Sequence, residues 1–354
     1  MIETVIPFTR LHCTERQNLR EILPLAKPFT LLIEPSSLCN FKCTQCFQSL
    51  KSSNYFTRNR MNMPLVRFQR VIEQARQWSG PLFKVLKLSL YGEPLINSDF
   101  LEMLAIAREA GIAERIETTT NASLLTCHIA EQMVELQLDY LRVSIYATNQ
   151  IAHRTTTRST VEIGAIRDNL LQLQAIKRRR GSLRPFVSVK MMDAYDEKNE
   201  RFFDMYRDVA DEAFIDKPHG WIEVEGADFL GSFYGEKLSL ARDDIRKYSR
   251  PRLACQMGFT TLAVRSNGSV SPCCVDFIGG TNLGNVDTMS IEELWMSTAW
   301  YEFLKMQLEG RAHEHSSCGH CDFFKSSYYM KDDIDGVPVR QLRSPGGPTD
   351  EAMT

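Results

Sequence analysis

Three cysteines fall within the stretch CNFKCTQC, where Cys39, Cys43 and Cys46 follow an apolar run, Thr30 to Ile33, that reads as a β-strand. A loop of this spacing can hold three corners of a cubane iron-sulfur cluster and leave the fourth iron without a protein ligand. An iron left open in this way is a place for chemistry.

The chain has ten cysteines, and they are not evenly spread. Cys255, Cys273, Cys274, Cys318 and Cys321 form a second group, while Cys13 and Cys127 stand alone and read as buried free thiols. Met1 to Arg20 is broken by Glu3, Arg10, Glu15 and Arg16, and no apolar run approaches the ~18 residues of a membrane span. The expectation is a cytoplasmic protein, in which so many thiols point to metal binding or catalysis and away from a disulfide framework. Lysine and arginine number 42 against 44 acidic residues, a net charge of −2, which excludes a general polyanion binder or an anionic-membrane surface. The run Arg178 to Arg180 suits the end of a helix and no nucleic-acid role.

Between the two cysteine groups, strand-like and helix-like segments alternate. Strands are expected near Thr30 to Glu34, Lys84 to Leu90, Arg115 to Thr119, Tyr140 to Ile145, Phe186 to Met191 and Glu212 to Ile215. Helices are expected near Leu65 to Trp78, Asp99 to Ala110, Leu124 to Leu136, Glu162 to Arg179 and Asn199 to Val209. Six such alternations imply an α/β fold, a partial (β/α)6 TIM-like barrel with parallel strands and right-handed crossovers. Sites in such barrels are built from the loops after the strands, and the three-cysteine loop follows the first. The other strand ends carry Tyr91-Gly92-Glu93-Pro94, Thr120-Asn121, Ser144, and Lys190 with Asp193.

This combination resembles the radical S-adenosylmethionine (radical SAM) superfamily. The resemblance implies that Cys39, Cys43 and Cys46 hold a [4Fe-4S] cluster whose open iron chelates SAM, and that Gly92 and Glu93 contact the methionine amino group. It further implies ribose or carboxylate contacts for Asn121 and Ser144, and a looser match for Arg158 to an arginine that reaches the SAM carboxylate. Two positions depart from the family pattern: Tyr91 stands for the first glycine of GGEP, and Gln45 precedes the third cysteine where a hydrophobic or aromatic residue is common. Reductive cleavage of SAM to methionine and a 5′-deoxyadenosyl radical is the implied reaction.

Beyond residue 250, Leu262 to Arg265 and Ser269 to Ser271 read as strands joined through a two-residue Asn267-Gly268 turn. A helix is expected from Ile291 to Gln307 with Ser290 as N-cap, followed by Cys318-Gly319-His320-Cys321. Spacing alone leaves zinc and iron-sulfur both open for Cys255, Cys273, Cys318 and Cys321. The layout resembles the SPASM domain in its short, Twitch form, which implies one auxiliary [4Fe-4S] cluster on these four thiols. Cys274 is either a buried neighbour or a substitute ligand.

The domains expected are an N-terminal extension over 1–29, a barrel over 30–220, a small auxiliary iron-sulfur domain over 221–335 and a disordered tail over 336–354. A fully ligated cluster serves electron transfer, which favours oxidation of substrate, such as an alcohol to a ketone on a sugar or cyclitol, as in the aminocyclitol dehydrogenases this layout resembles. Lys190, Asp193, Lys217 and His219 are the candidate bases for the substrate hydroxyl. The alternatives are a maturase of a ribosomal peptide, although Met1 to Phe29 is too short for a leader-recognition domain, and a non-catalytic iron-sulfur electron-transfer protein. Expected partners are a small-molecule or peptide substrate and a flavodoxin- or ferredoxin-type electron donor.

Overall fold

The computed structural model describes residues 2–6, 16–50, 59–219, 222–225, 227–326 and 329–343. Cys13 lies outside them. The strands are β1 (Ile2–Ile6), β2 (Thr30–Ile33), β3 (Val85–Leu88), β4 (Ile116–Thr120), β5 (Tyr140–Ile145), β6 (Phe186–Met192), β7 (Glu212–Asp216), β8 (Thr261–Val264), β9 (Ser269–Ser271) and β10 (Gly284–Asn285). They form one sheet in the order β1-β7-β6-β5-β4-β3-β2-β8-β9-β10. From β1 through β8 every pairing is parallel, and β9 and β10 are antiparallel additions. All six strands expected of the barrel are present, as the α/β reading requires.

The principal helices are α1 (Leu65–Gln77), α2 (Phe100–Ala110), α3 (Cys127–Glu135), α4 (Gln150–Thr157), α5 (Ile163–Arg180), α6 (Lys198–Tyr206), α7 (Phe229–Tyr234), α8 (Leu238–Tyr248), α9 (Ile291–Trp295) and α10 (Thr298–Leu308). Helices α1 to α3 and α5 cover the outer face of the parallel strands. Leu86 and Leu88, Leu141, Val143 and Ile145, and Val187, Val189 and Met191 pack there with Phe68, Val71, Leu104, Met133 and Leu170 in one core. Because side chains alternate along a strand, the residues between them face the other way, into the barrel lumen. Those residues are polar: Lys87 and Ser89, Glu117 and Thr119, Arg142 and Ser144, Ser188 and Lys190. A TIM barrel commonly fills its lumen with branched apolar side chains; this one lines it with polar groups.

One buried carboxylate ties the C-terminal hairpin to the barrel. Glu34, immediately after β2, accepts from the Tyr91 N–H at 3.1 Å, the Ser266 N–H at 3.0 Å and the Ser266 hydroxyl at 2.8 Å. Burial pushes its pKa above the usual carboxylate value. The strand β8 pairs with β2 in register, Thr30 opposite Thr261, so the hairpin extends the barrel sheet directly.

Several expectations change. The Gly268 N–H donates to the Arg265 carbonyl and the Arg265 N–H to the Ser269 carbonyl, so the hairpin loop has three residues, closed by Gly268 at φ +85°, and is not a two-residue turn. The helix expected over Ile291 to Gln307 is two helices. Ser290 caps α9 in a capping box with Glu293, and Ser297 caps α10 by accepting from the Trp300 N–H, which breaks the run at Met296. Helix α4 was hidden by its β-branched threonines, whose hydroxyls at Thr155 and Thr157 bond back to the helix carbonyls of Ile151 and His153. Cys127 is exposed at the first turn of α3 and not a core thiol, because Thr126 caps the helix just before it on the solvent side. Residues 336–343 are packed where a tail was expected: Val337 and Leu342 are buried with Leu19, Leu23 and Phe259, and the remainder, 344–354, lies outside the described residues.

Replacing Glu34 with alanine leaves the buried N–H groups of Tyr91 and Ser266 unsatisfied, while the Ser266 hydroxyl keeps the backbone carbonyl of residue 34, and is expected to destabilise the fold by on the order of 3 kcal/mol. The urea midpoint of the protein without its cofactors measures this.

Candidate functional site

The loop after β2 is shaped by backbone contacts that precede any ligand. The N–H groups of Lys42 and Thr44 donate to the Thr157 and Thr156 carbonyls at 2.8 and 2.9 Å, so the end of α4 supports the cysteine loop. The Phe41 N–H points at the Cys39 sulfur and the Gln48 N–H at the Cys46 sulfur, each at 3.4 Å. Such donors favour a thiolate over a thiol. Burial works against the anion, raising Cys39 to about 11 and Cys46 to about 12, and Cys43 further still, with repulsion among the three sulfurs adding to it. Lys42 and Arg60 offset this only in part, so three largely buried thiols, two of them with preset donors, fit a metal cluster that supplies further positive charge.

The loop after β3 is pressed against the loop after β2. A Cβ at Gly92 would stand 2.2 Å from the Ser36 carbonyl oxygen and 2.3 Å from that of Leu38, so only glycine fits. The Glu93 N–H donates to the Leu38 carbonyl at 2.8 Å. The Glu93 carboxylate accepts from the Thr120 hydroxyl at 2.6 Å and the Asn121 N–H at 2.7 Å, and burial raises its pKa to about 7. Asn121 in turn donates to the Asn40 side chain at 2.9 Å, beside Cys39. The loops after β2, β3 and β4 are thus one hydrogen-bonded unit.

These groups surround an open cavity whose walls include Cys39, Cys43, Cys46, Gly92, Glu93, Asn121, Ser144 and Lys190. Aromatic residues Phe41, Phe47, Tyr146, Phe229 and Phe233 supply its apolar surface. Gln45 lines it as well, so the departure from an apolar residue there places an amide in the chamber. Tyr91, in the place of a glycine, is buried edge-on to Phe47 at 5.3 Å, and Phe47 stacks on Phe277 of the C-terminal region at 4.7 Å. The substitution joins the cysteine loop to the second cysteine group through packed rings.

Other expected site residues lie elsewhere. Arg158 is an exposed left-handed C-cap of α4 and does not border the cavity. Asp193 pairs with Lys217 at 2.5 Å, and Lys217 reaches Asp244 on α8 at 2.7 Å. His219 stands edge-on to Phe323 at 5.5 Å. Of the four candidate bases only Lys190 borders the cavity. It donates to Asp216 at 2.8 Å, and burial lowers its pKa.

In the second group, Cys255, Cys273, Cys318 and Cys321 are all raised by burial, Cys318 to about 12 and Cys321 to about 11, and thiolates of the group repel one another. The N–H two residues on, from Met257, Val275 and Phe323, serves the sulfurs of Cys255, Cys273 and Cys321, repeating the pattern of the first loop. Cys318 receives instead the side-chain amide of Gln307 at 3.6 Å, and the same Gln307 accepts the Cys255 N–H at 3.0 Å. Cys274 lies within electrostatic reach of Cys255, Cys273 and Cys321, and also of Lys87 in the lumen. Among the described residues no three His, Cys, Asp or Glu side chains converge as a single metal ion requires. Gln307 escaped the reading of the sequence. Its signal was a polar residue on the buried stripe Trp300, Phe303, Gln307 of α10.

A parallel partial barrel with a three-thiol loop at the end of its first barrel strand, and a second thiol site on an added hairpin, defines a class of iron-sulfur enzymes that act through SAM. Residues 33–179 match the model of the radical SAM superfamily, and residues 255–322 match that of SPASM, an iron-sulfur cluster-binding domain. The chain thus carries a radical SAM domain followed by a SPASM domain, and the cofactors of these domains are SAM and [4Fe-4S] clusters. Among solved structures it is similar to BtrN in complex with AdoMet and 2-DOIA, at 18% identity and a TM-score of 0.54, over 86% of this chain and 98% of that one. It is similar also to native anSMEcpe with bound AdoMet, at 19% identity and a TM-score of 0.56, over 78% of this chain and 83% of that one. A third is Streptococcus suis SuiB bound to S-adenosylmethionine, at 16% identity and a TM-score of 0.58, over 90% and 79%. No curated protein sequence matches the chain. No helix among the described residues is long and apolar enough to cross a membrane.

Because a methyl group at Gly92 must displace backbone, Gly92→Ala is expected to lose the first cluster and keep the second. Iron per chain then falls by about half, and SAM binding is lost with it.

Proposed function

We propose that this radical SAM enzyme oxidises its substrate, converting an alcohol carbon to a ketone, with the C-terminal cluster as electron acceptor. The observation that carries the reading is the place of the second thiol group: Cys273 and Cys274 lie within electrostatic reach of Tyr91, at the wall of the chamber that the first three cysteines line.

Cys39, Cys43 and Cys46 would hold the cluster with the open iron, and Cys255, Cys273, Cys318 and Cys321 the auxiliary one. When bound, these groups and SAM supply a hydrogen-abstracting 5′-deoxyadenosyl radical and an acceptor for the electron that a substrate radical gives up. Gly92 lets the loop after β3 lie against the cysteine loop, and Glu93, Asn121 and Ser144 would provide polar contacts for SAM. The aromatic walls exclude water from the reacting carbon. Lys190 is the group placed to take the hydroxyl proton, since burial favours its neutral form while Asp216 orients it. Asp193 and Lys217, bound to one another, steady the strand ends that carry Lys190.

Anaerobic reconstitution with a chemical reductant tests the first half. Methionine and 5′-deoxyadenosine are the expected products, and well-loaded protein that cleaves no SAM would overturn the enzyme reading. For the second half, Cys318→Ala/Cys321→Ala is expected to go on cleaving SAM while losing the oxidised product, with deuterium from substrate still entering 5′-deoxyadenosine. Retained oxidation in that variant would instead favour redox-neutral chemistry. Lys190→Met is expected to lower product formation by on the order of a hundredfold while 5′-deoxyadenosine continues to form, as chromatography of both products would record.

A further inference from the structure

The lumen below the cavity holds a charge that the reaction as described does not use. Arg142 lies on β5 two residues before Ser144, on the same face and one side-chain layer deeper, about 7 Å further from the cysteine loop. It is 8% exposed. The guanidinium makes no hydrogen bond or ion pair among the described residues and stands over the face of Phe214, two strands along the sheet, at 5.9 Å. The neighbouring acids are engaged by other groups. Glu117 is 3.8 Å from Lys87 and 3.4 Å from Arg115, Asp216 is bonded to Lys190, and Glu212 accepts from the Ser188 hydroxyl at 2.6 Å.

Lys190 lies one layer above, level with Ser144, and Lys87 one layer below, level with Glu117 and Tyr140, and Arg142 disfavours each as a cation. A lysine so placed can shed its proton. An arginine cannot, so the guanidinium of Arg142 stays charged, and it opens to the lumen without a counter-anion. An anionic group brought in from the cavity would supply one, and the planar fork of donors matches a carboxylate or phosphate in two-point contact.

We propose that Arg142, with Lys87 one layer below, is the floor of the substrate site and binds an acidic group of the substrate, a carboxylate or a phosphate ester. The substrate is then held by its acidic end and extends upward past Lys190 and Ser144 toward the three-cysteine loop. A neutral or cationic polyol has no partner at this depth. The inference rests on the reading of the cavity as the substrate chamber.

The test uses the fully reconstituted chain with SAM present, so that the SAM carboxylate already fills its own site. Succinate and inorganic phosphate are titrated calorimetrically against wild type, Arg142→Lys and Arg142→Met, with glycerol as the neutral control. Saturable binding of at least one anion and none of glycerol is expected, weakened tenfold or more in Arg142→Met and less in Arg142→Lys. Preference for succinate or for phosphate tells the carboxylate from the phosphate ester. Wild type that binds neither anion overturns the proposal whatever the variants do, as does unchanged affinity in an Arg142→Met protein with full iron content. SAM cleavage by the same wild-type preparation is measured separately. Cleavage without anion binding removes only this inference, whereas anion binding without cleavage removes the enzyme reading and leaves the site.

Discussion

The carboxylate of Glu34 is the constraint on which the remaining arrangement depends. It sits where three segments meet, the end of β2, the loop after β3 and the turn of the C-terminal hairpin, and it satisfies donors from the last two. A buried acid is costly unless hydrogen-bonded, so the segments are held in one register by the penalty for separating them. The Gly92 contact follows from that register, since the loop after β3 can lie against the Ser36 and Leu38 carbonyls only without a side chain. The cysteine loop, the Glu93 carboxylate and the auxiliary thiols are then positioned by backbone rather than by long, mobile side chains.

Alternation along the strands divides the work of the sheet. Residues such as Leu141, Val143 and Ile145 pack against helices and supply stability, while Tyr140, Arg142 and Ser144 between them face the lumen and supply chemistry. The two sets do not compete for the same positions. The barrel can therefore hold several charges in its interior without loosening the outer core, and its paired acids and cations leave Arg142 as the charge open to a ligand.

Much of this was legible in the residues. The barrel strands have short apolar runs bounded by turn residues, and the two cysteine groups stand out by spacing. The helix at Gln150–Thr157 did not, because threonine reads as a strand former until its hydroxyl is seen returning to a helix carbonyl. Ser297 looked like an interior helix residue and proved to be a cap. Gln307 was invisible as a partner of Cys255 and Cys318, since a glutamine on an apolar stripe carries no mark of what it will meet. Lys190, Asp193, Lys217 and His219 looked equivalent beside late strands, and only the direction of each side chain separated the one at the cavity from the rest.

The amino-acid sequence by itself determined the parallel barrel, the class of cofactor and the thiols available for it, because these depend on periodicity and on spacing within a few residues. Tertiary structure alone decided which polar groups share a chamber, how Tyr91 and Phe277 join the two thiol sites, and which charge is left without a partner. Those properties depend on distances between residues far apart in the chain, such as Glu34 and Ser266, or Arg142 and Phe214, and such distances exist only once the sheet has closed around its lumen.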